Sequence, residues 1–371
     1  MTSERTDNIC FADTKRFICV VIFLTALLVL GVMLNINIGS VTVPPRDIMK
    51  MMADAVCAVA EDLFSFEETS ALEHVVNATA ESKILFRIRL PRMLLAAILG
   101  GGLSVSGFLL QAFFRNPIAG PFVLGISSGA KMTVGVAMIF LSAYTANFSS
   151  GYLIAAAFIG SLVITGAVLF FSRKMRNMAM LLVIGIMIGY ICGAVTDFCI
   201  AFANDQDIVN LTNWSMGSFS GADWDNVSTA AAVILPAFFA AWLLSKPIGA
   251  YSLGEGYARS LGINTDRFRV VLIVVSSLLS ACVTAIAGPI SFVGIAVPHI
   301  VRSMLKSSKP AFVIPASFLC GAVFCIFCDL IARTAFAPTE LQIGAVTSAF
   351  GAPIVVWMMV ERGRRREEQL G

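Results

Sequence analysis

The run from Arg92 to Phe113 constrains this chain more than any other part of it. It is apolar and, at about 20 residues, long enough to cross a bilayer. Its middle is filled with small residues: Gly100, Gly101, Gly102, Ser104, Ser106 and Gly107. A helix in lipid needs no small residues for its own stability. It needs them where another helix must come close, because packing drives association there. Asn116-Pro117 and Ala119-Gly120-Pro121 follow and break the helix. Broken backbone at membrane depth is tolerated only where protein or a water-filled cavity satisfies it. The segment therefore reads as the wall of a translocation pathway, with Gly101, Ser104, Gln111, Asn116 and Pro117 as its expected lining.

The rest of the chain is of the same kind. Hydrophobic residues make up 58% and charged residues 13%, against about 25% charged in a soluble domain. The expected fold class is all-α and polytopic. Ten spans are expected, at about 17–37, 92–113, 123–145, 151–171, 180–203, 227–244, 268–287, 290–305, 311–335 and 342–360. The first follows Lys15 and Arg16, as a signal peptide would, but no small-x-small site precedes Val43-Pro44-Pro45, so an uncleaved span is expected. With the N-terminus inside, most Lys and Arg outside the spans fall on the inner side. Only Arg46, Lys50, Lys83, Arg87, Arg89 and Arg92 fall outside. That asymmetry predicts cytoplasmic N- and C-termini and an even number of spans.

The long outer loop, 39–82, is acidic, and Ala53–Phe64 within it reads as a short amphipathic helix. Its plain reading is a solvated cap. Most of the nine cysteines lie in apolar runs; Cys325 and Cys328 have metal-motif spacing but stand inside a span without a second pair or a nearby His, so they read as small apolar filling.

An internal repeat is visible. Ile118-Ala-Gly-Pro-Phe-Val-Leu-Gly-Ile126 and Ile286-Ala-Gly-Pro-Ile-Ser-Phe-Val-Gly-Ile295 differ by one inserted residue. Each follows an apolar helix, the two running in opposite directions. Paired broken segments in two halves of opposite topology point to a transport path.

Few ionisable groups enter the spans. Asp197 is a candidate for the path or for a helix–helix contact, Lys131 suits an interfacial position, and Asp329 stands one helical turn before Arg333. His299 reads as a packed helix residue, and His74 is isolated. On the basic side, 252–264 forms a short helix between Gly254 and Gly262, in which Ala258 and Leu261 make a small apolar face. The chain has no G-x-x-x-x-G-K-[ST] loop, no H-E-x-x-H and no G-x-S-x-G. It carries no nucleotide site of that kind and no hydrolase motif, so energy must come from a partner chain.

Three ordered blocks are similar to one family. They are Arg89-Leu-Pro-Arg92 with its Gly/Ser-rich helix, Gln111-x-x-Phe-Arg-Asn-Pro-Ile-Ala-x-Pro121 and Leu124-Gly-Ile-Ser-x-Gly-Ala130; Gly254 to Arg302; and Glu340 to Pro353. Together they resemble the permease subunits of ABC importers for iron-siderophores, haem and vitamin B12. The resemblance implies an N-terminal part, 1–86, and a permease core, 87–371. It implies a non-enzymatic subunit of the inner membrane without its own cofactor, ATP and Mg belonging to the partner ATPase. It implies a second copy of the chain, two ATP-binding cassette subunits, a periplasmic or lipid-anchored substrate-binding protein and membrane lipid as partners, and no nucleic acid. Gly254, Glu255, Ala258, Arg259, Leu261 and Gly262 would couple to the ATPase, and Arg89, Arg92 and Arg333 would dock the binding protein. At the inner end of the fifth span Asn177-Met-Ala-Met180 departs from the small polar residues of some relatives. The rival readings are an ion-gradient-driven secondary transporter, which Asp197 would suit, and a membrane-embedded enzyme, for which clustered polar residues are missing.

Overall fold

The computed structural model describes residues 2–38, 76–141, 150–175 and 178–370, with residues 50, 51, 53, 54 and 57 between the first two stretches. The acidic loop falls mostly outside the described residues, as do Arg46, His74, Arg176 and Asn177. The regular structure described is helical: α1 (Thr2–Asn37), α2 (Ala80–Phe114), α3 (Ile126–Val136, continued by a π-turn Ala137–Leu141), α4 (Ser150–Lys174), α5 (Met178–Ile200), α6 (Asp205–Ser215), α7 (Trp224–Leu243), α8 (Ser245–Ser252), α9 (Glu255–Ser260), α10 (Thr265–Ala287), α11 (Val293–Leu305), α12 (Pro310–Thr334) and α13 (Ile343–Leu370).

Among the described residues eight helices, α1, α2, α4, α5, α7, α10, α12 and α13, are long and apolar enough to cross a membrane. The chain is a multi-span membrane protein. Two expected spans, α3 and α11, are apolar but shorter. Both begin just after the repeated Ile-Ala-Gly-Pro segments. The 13 residues of α11 give about 20 Å at 1.5 Å per residue, less than the roughly 30 Å of a hydrocarbon core.

The second span starts earlier than the sequence suggested. Thr79 caps it by accepting a hydrogen bond from the Ser82 N–H at 3.1 Å, and the helix runs unbroken through Arg92. A π-turn at Leu85–Arg89 makes this possible. Pro91 has no N–H for the carbonyl of Arg87 and its ring crowds that turn, so the wider turn relieves the clash. Two short helices were not anticipated. α6 is polar and opens with Asp205 and Asp207 in its first turn, where acids favour the helix N-terminus. α8 leads directly into the Gly254 hinge.

α2 is the central post of the bundle, packed between α12, α10, α7 and α11. Its glycines explain that position. A Cβ on Gly100 would lie 2.5 Å from the Gly321 carbonyl oxygen of α12, and one on Gly321 2.4 Å from the Gly100 oxygen. A Cβ on Gly107 would lie 1.8 Å from the Gly294 oxygen of α11. Backbones therefore touch where side chains would hold them apart. α5 is the opposite case. Gly185 packs on Leu124, but Met187, Tyr190, Ile191 and Phe198 are exposed.

The turn after α6, the last residue of α10 and the first residues of α13 share backbone bonds. The Ser218 N–H donates to the Ala287 oxygen at 2.8 Å, Ile343 to Gly217 at 3.2 Å and Gly344 to Met216 at 3.0 Å. The approach needs glycine: a Cβ on Gly344 would lie 2.3 Å from the Met216 oxygen, and one on Gly288 2.4 Å from that of Trp214.

Candidate functional site

Four of the expected regions can be placed, and the bundle has two chemically distinct ends. At one end, the side chains of Arg89 and Arg92 turn inward and are buried. Arg92 Nε donates to both Asp329 oxygens at 3.0 and 3.2 Å, and its Nη1 to Glu340 at 3.0 and 3.2 Å. Arg333 lies 3.4 Å from Asp329, as their one-turn spacing suggested, and donates through Nη2 to Asn35 Oδ1 at 2.6 Å. Asn35 in turn donates to the Ile326 carbonyl at 3.2 Å. Arg89 donates to the Ile36 carbonyl. The three arginines are thus not free rim charges. They tie α1, α2, α12 and the segment before α13 together, and the outermost member is Glu340, whose side chain is 47% exposed. A buried Asp329, 3% exposed, is tolerable only with such partners.

At the other end lie α8 and α9. Gly254 (φ 139) and Gly262 (φ 81) hold backbone conformations that residues with a Cβ rarely adopt, so the expected hinges fall where glycine is required. Glu255, the first residue of α9, accepts from Arg259 at 2.7 Å and from Arg269 of α10. Thr265 joins it, accepting from Arg259 Nε at 2.9 Å. Tyr251, buried at the end of α8, receives a hydrogen bond on its carbonyl from Arg115 Nη2 at 3.0 Å. The Arg115 guanidinium also lies 4.9 Å from the centre of the Tyr251 ring. Arg115 (φ 49) caps α2 in the left-handed region. The end of α2, the turn before α9 and the start of α10 are therefore one mechanical unit.

The apolar face expected on α9 is not the one found. Ala258 is fully buried against its own chain, whereas Leu261 is 57% exposed. The exposed apolar side chains are Leu253, Tyr257 and Leu261. A helix of one and a half turns packs one side on its own protein, and the i, i+4 pair 257 and 261 points the other way.

The two repeated segments meet. A Cβ on Gly120 would lie 3.0 Å from Ile295, and one on Gly294 3.3 Å from Pro121. Between them is a void of about 20 Å³, lined by Leu103, Pro121, Ser127, Thr284 and Gly294 among others, room for about one water molecule. Asn116 closes its turn locally: its Oδ1 accepts from the Ile118 N–H at 3.2 Å. Pro117 follows, partly exposed.

The expected pathway lining divides. Gly101 packs on the Phe318 ring, which a Cβ would meet at 2.8 Å. Ser104 is fully buried, and Gln111 is buried with its amide donating to the Gly294 and Ile295 carbonyls at 3.2 Å each. These three are buried in this chain, where the same small residues let α11 and α12 approach. Asp197, by contrast, stands exposed on α5 between Phe198 and the open helix face. Sequence reasoning missed Asn35, Arg115, Tyr251, Arg269 and Glu340. Only Asn35, an amide at the end of an apolar run, carried a local signal.

The FecCD transport family model matches residues 27–361. The hemin transport system permease protein HmuU of Yersinia pestis is 35% identical over 289 residues, covering 78% of this chain and 85% of the relative. The vitamin B12 import system permease protein BtuC of Vibrio cholerae is 36% identical over 284 residues, covering 76% and 84%. A solved structure, described as an inward-facing conformation of a transporter assigned to the metal-chelate ABC type, superposes with a TM-score of 0.76 at 26% identity, covering 92% of this chain and 98% of the other. This chain therefore belongs to the FecCD transport family and is a permease subunit of the ABC-importer type.

Proposed function

We propose that the chain moves an iron chelate (a ferric siderophore or haem) or cobalamin across the inner membrane. It would do so as a homodimer with two ATP-binding cassette subunits and a substrate-binding protein, and its cargo is bulky and passed along rather than held. The observation that carries this reading is the glycine-hinged α9, braced by Glu255 on Arg269 and by Arg115 on Tyr251, with Leu253, Tyr257 and Leu261 facing solvent. Such a segment can receive a push from another protein and pass it to α2 and α10. Names borne by the relatives, hemin and vitamin B12, support the cargo class.

The Tyr251 end is read as cytoplasmic from the Lys/Arg asymmetry. Ten crossings, counting α3 and α11 with their broken segments, then put both termini on that side. The meeting of the two Ile-Ala-Gly-Pro segments supports two halves of inverted topology. The path is assigned to the exposed face of α5, at the contact with the second copy, with Asp197 beside it, since an ionisable group in an apolar helix faces protein or water rather than lipid. Asn116 and Pro117 belong at the inner end of the break. At the outer end, Arg89, Arg92 and Arg333 shape the docking rim for the binding protein, and Glu340 is its exposed charge.

The test is uptake by the reconstituted transporter. Tyr257→Glu with Leu261→Glu should abolish ATP-driven uptake while the dimer stays intact. Full transport by that variant would remove the coupling role. Asp197 is also what a secondary transporter would use; uptake that continues without the ATPase and stops with an ionophore would establish that reading instead.

A further inference from the structure

One charged side chain within the bundle has no part in the reading above. Lys131 of α3 is half-buried, and its ammonium makes no ion pair or hydrogen bond among the described residues. One face of α3 is held against α4: a Cβ on Gly129 would lie 2.2 Å from Ile164, and Thr133 donates to the Ala156 carbonyl at 2.7 Å. Lys131 is on the opposite face, one turn after Ser127 and Ser128. Ser127 Oγ lies 3.4 Å from Thr284 Oγ1 of α10, and Ser128 Oγ would lie 3.5 Å from a Cβ on Gly189 of α5. Lys131 therefore projects into the angle between α5 and α10, away from α4, whose free side is apolar with Ile159, Leu162, Val163 and Phe170 exposed. The two helices α3 and α5 run parallel, since Gly185 packs on Leu124 and Gly135 on Thr196. That register sets Lys131 level with Cys192 and Gly193, about 12 Å short of the end of α5, so the interfacial position suggested by the sequence is not the one found. Gly189, Gly193 and Asp197 follow one turn apart along α5, so the stripe that starts at the Ser128 contact passes beside Lys131. Nothing lies within 4 Å of a Cβ added to Gly193, and the groove there is open. Asp197 is the other charge on it, exposed and with no side-chain partner among the described residues.

We propose that Lys131 determines cargo specificity: its ammonium meets an acidic group of the passing chelate. The permease then favours a cargo with carboxylates or similar anionic oxygens over cobalamin, whose periphery is amide. This rests on the path along α5 proposed above and narrows its cargo. An unpaired ammonium at such depth is costly against lipid and belongs beside water or an anion. Its compact charge, three donors and flexible stem suit a passing contact rather than the planar two-point grip of an arginine. Asp197, one turn farther along α5, repels the same acidic groups and so keeps them on the Lys131 side of the groove.

A thiol at Gly193 tests this without knowledge of the natural cargo. Gly193→Cys, in the full-length chain freed of native cysteines, is labelled in detergent with a sulfonate-bearing and an ammonium-bearing thiosulfonate reagent. The ratio of the two rates, sulfonate to ammonium, should fall about tenfold when Lys131→Gln is added, because a unit charge in a wet groove acts oppositely on the two reagents. Lys131→Arg should keep the ratio of the parent, and Asp197→Asn should raise it. Lys246→Gln, which removes an exposed charge from α8, should leave it unchanged. Hemin, with two carboxylates, should slow the labelling more than hemin dimethyl ester, and Lys131→Gln should abolish that difference. A ratio indifferent to Lys131→Gln, or equal protection by the two hemins, would overturn the proposal. So would a ratio that falls as far with Lys131→Arg, which marks a structural effect rather than a charge. An inert Gly193→Cys beside a reactive Tyr190→Cys would overturn it too, the groove at Lys131 then being closed to water while the path along α5 stands. If neither thiol reacts, the path itself is misplaced and the proposal falls with it.

Discussion

Replacing Gly107 with alanine separates the two uses of small residues in α2. The new methyl would lie 1.8 Å from the Gly294 oxygen, 2.4 Å from its carbonyl carbon and 2.5 Å from its Cα. Ordinary contact needs about 3.5 Å, so α11 must retreat by about 1.5 Å. Both hydrogen bonds from Gln111 to that strand of backbone, 3.2 Å long, would then exceed bonding distance. Overpacking of a dense interior costs about 1–3 kcal/mol, and a buried amide left without partners about 1–3 kcal/mol more. A loss of about 2–6 kcal/mol follows. Thermal unfolding in detergent, followed by tryptophan fluorescence, reads it directly. Gly166→Ala and Gly193→Ala serve as references, because nothing lies within 4 Å of either added methyl; they should stay within about 0.5 kcal/mol of the parent. A Gly107→Ala protein as stable as those references, yet inactive in uptake, would refute the packing argument and return α2 to the pathway.

Other consequences can be checked in the same preparation. Arg92→Ala leaves Asp329 buried without its main partner and should cost about 3–5 kcal/mol, whereas replacing both by leucine should cost much less; equal losses in thermal unfolding would show that the pair is not the issue. Ala258→Glu, at a fully buried position, should lower the yield of folded protein, while Leu261→Glu should leave yield and melting unchanged; matching yields would contradict the face assigned to α9. Single cysteines at Tyr190 and Asp197, in a background without native cysteines, should react with a water-soluble thiol reagent in a nucleotide-dependent way, and those at Ser104 and Gln111 should stay protected. Labelling at Ser104 would place water inside the monomer. Arg115→Ala should leave basal ATP hydrolysis intact and reduce its stimulation by the binding protein; unaltered stimulation would remove Arg115 from the transmission route.

The sequence made eight of the expected spans legible because each is a long apolar run; α3 and α11 fall short, α1 and α13 run past the expected ends, and α2 starts well before its expected beginning. There a proline, normally a helix boundary, sits inside the helix because a π-turn absorbs it. Pattern could not reveal that, since it depends on how the carbonyl of Arg87 is relieved. The glycine hinges of α9 were legible for a local reason: left-handed backbone selects glycine wherever it occurs. The close contacts of Gly101 and Ser104 were not, because small residues suit an open path and a tight seam equally, and the nearness of Phe318 and Gly321 is a matter of tertiary packing. The same holds for Arg89 and Arg92. Basic residues at a span end look exposed in sequence, and their partners lie far along the chain: the Ile36 carbonyl for Arg89, Asp329 and Glu340 for Arg92.

The backbone bonds linking Gly217, Ala287 and Gly344 also dictate how this end can move. Parting any two of these segments would break these backbone hydrogen bonds, and a buried group left unpaired costs about 1–3 kcal/mol. α6, the end of α10 and the head of α13 must then swing as a single rigid body, and the angular change must be absorbed elsewhere. Gly254 and Gly262, which flank α9 at positive φ, are the positions suited to absorb it. Braced on α9 through Glu255 and Arg269 at one end and welded at the other, α10 is a strut between the two ends of the bundle. The amide protons of Ser218, Ile343 and Gly344 should accordingly exchange with solvent together, at one rate, in every state of the transport cycle.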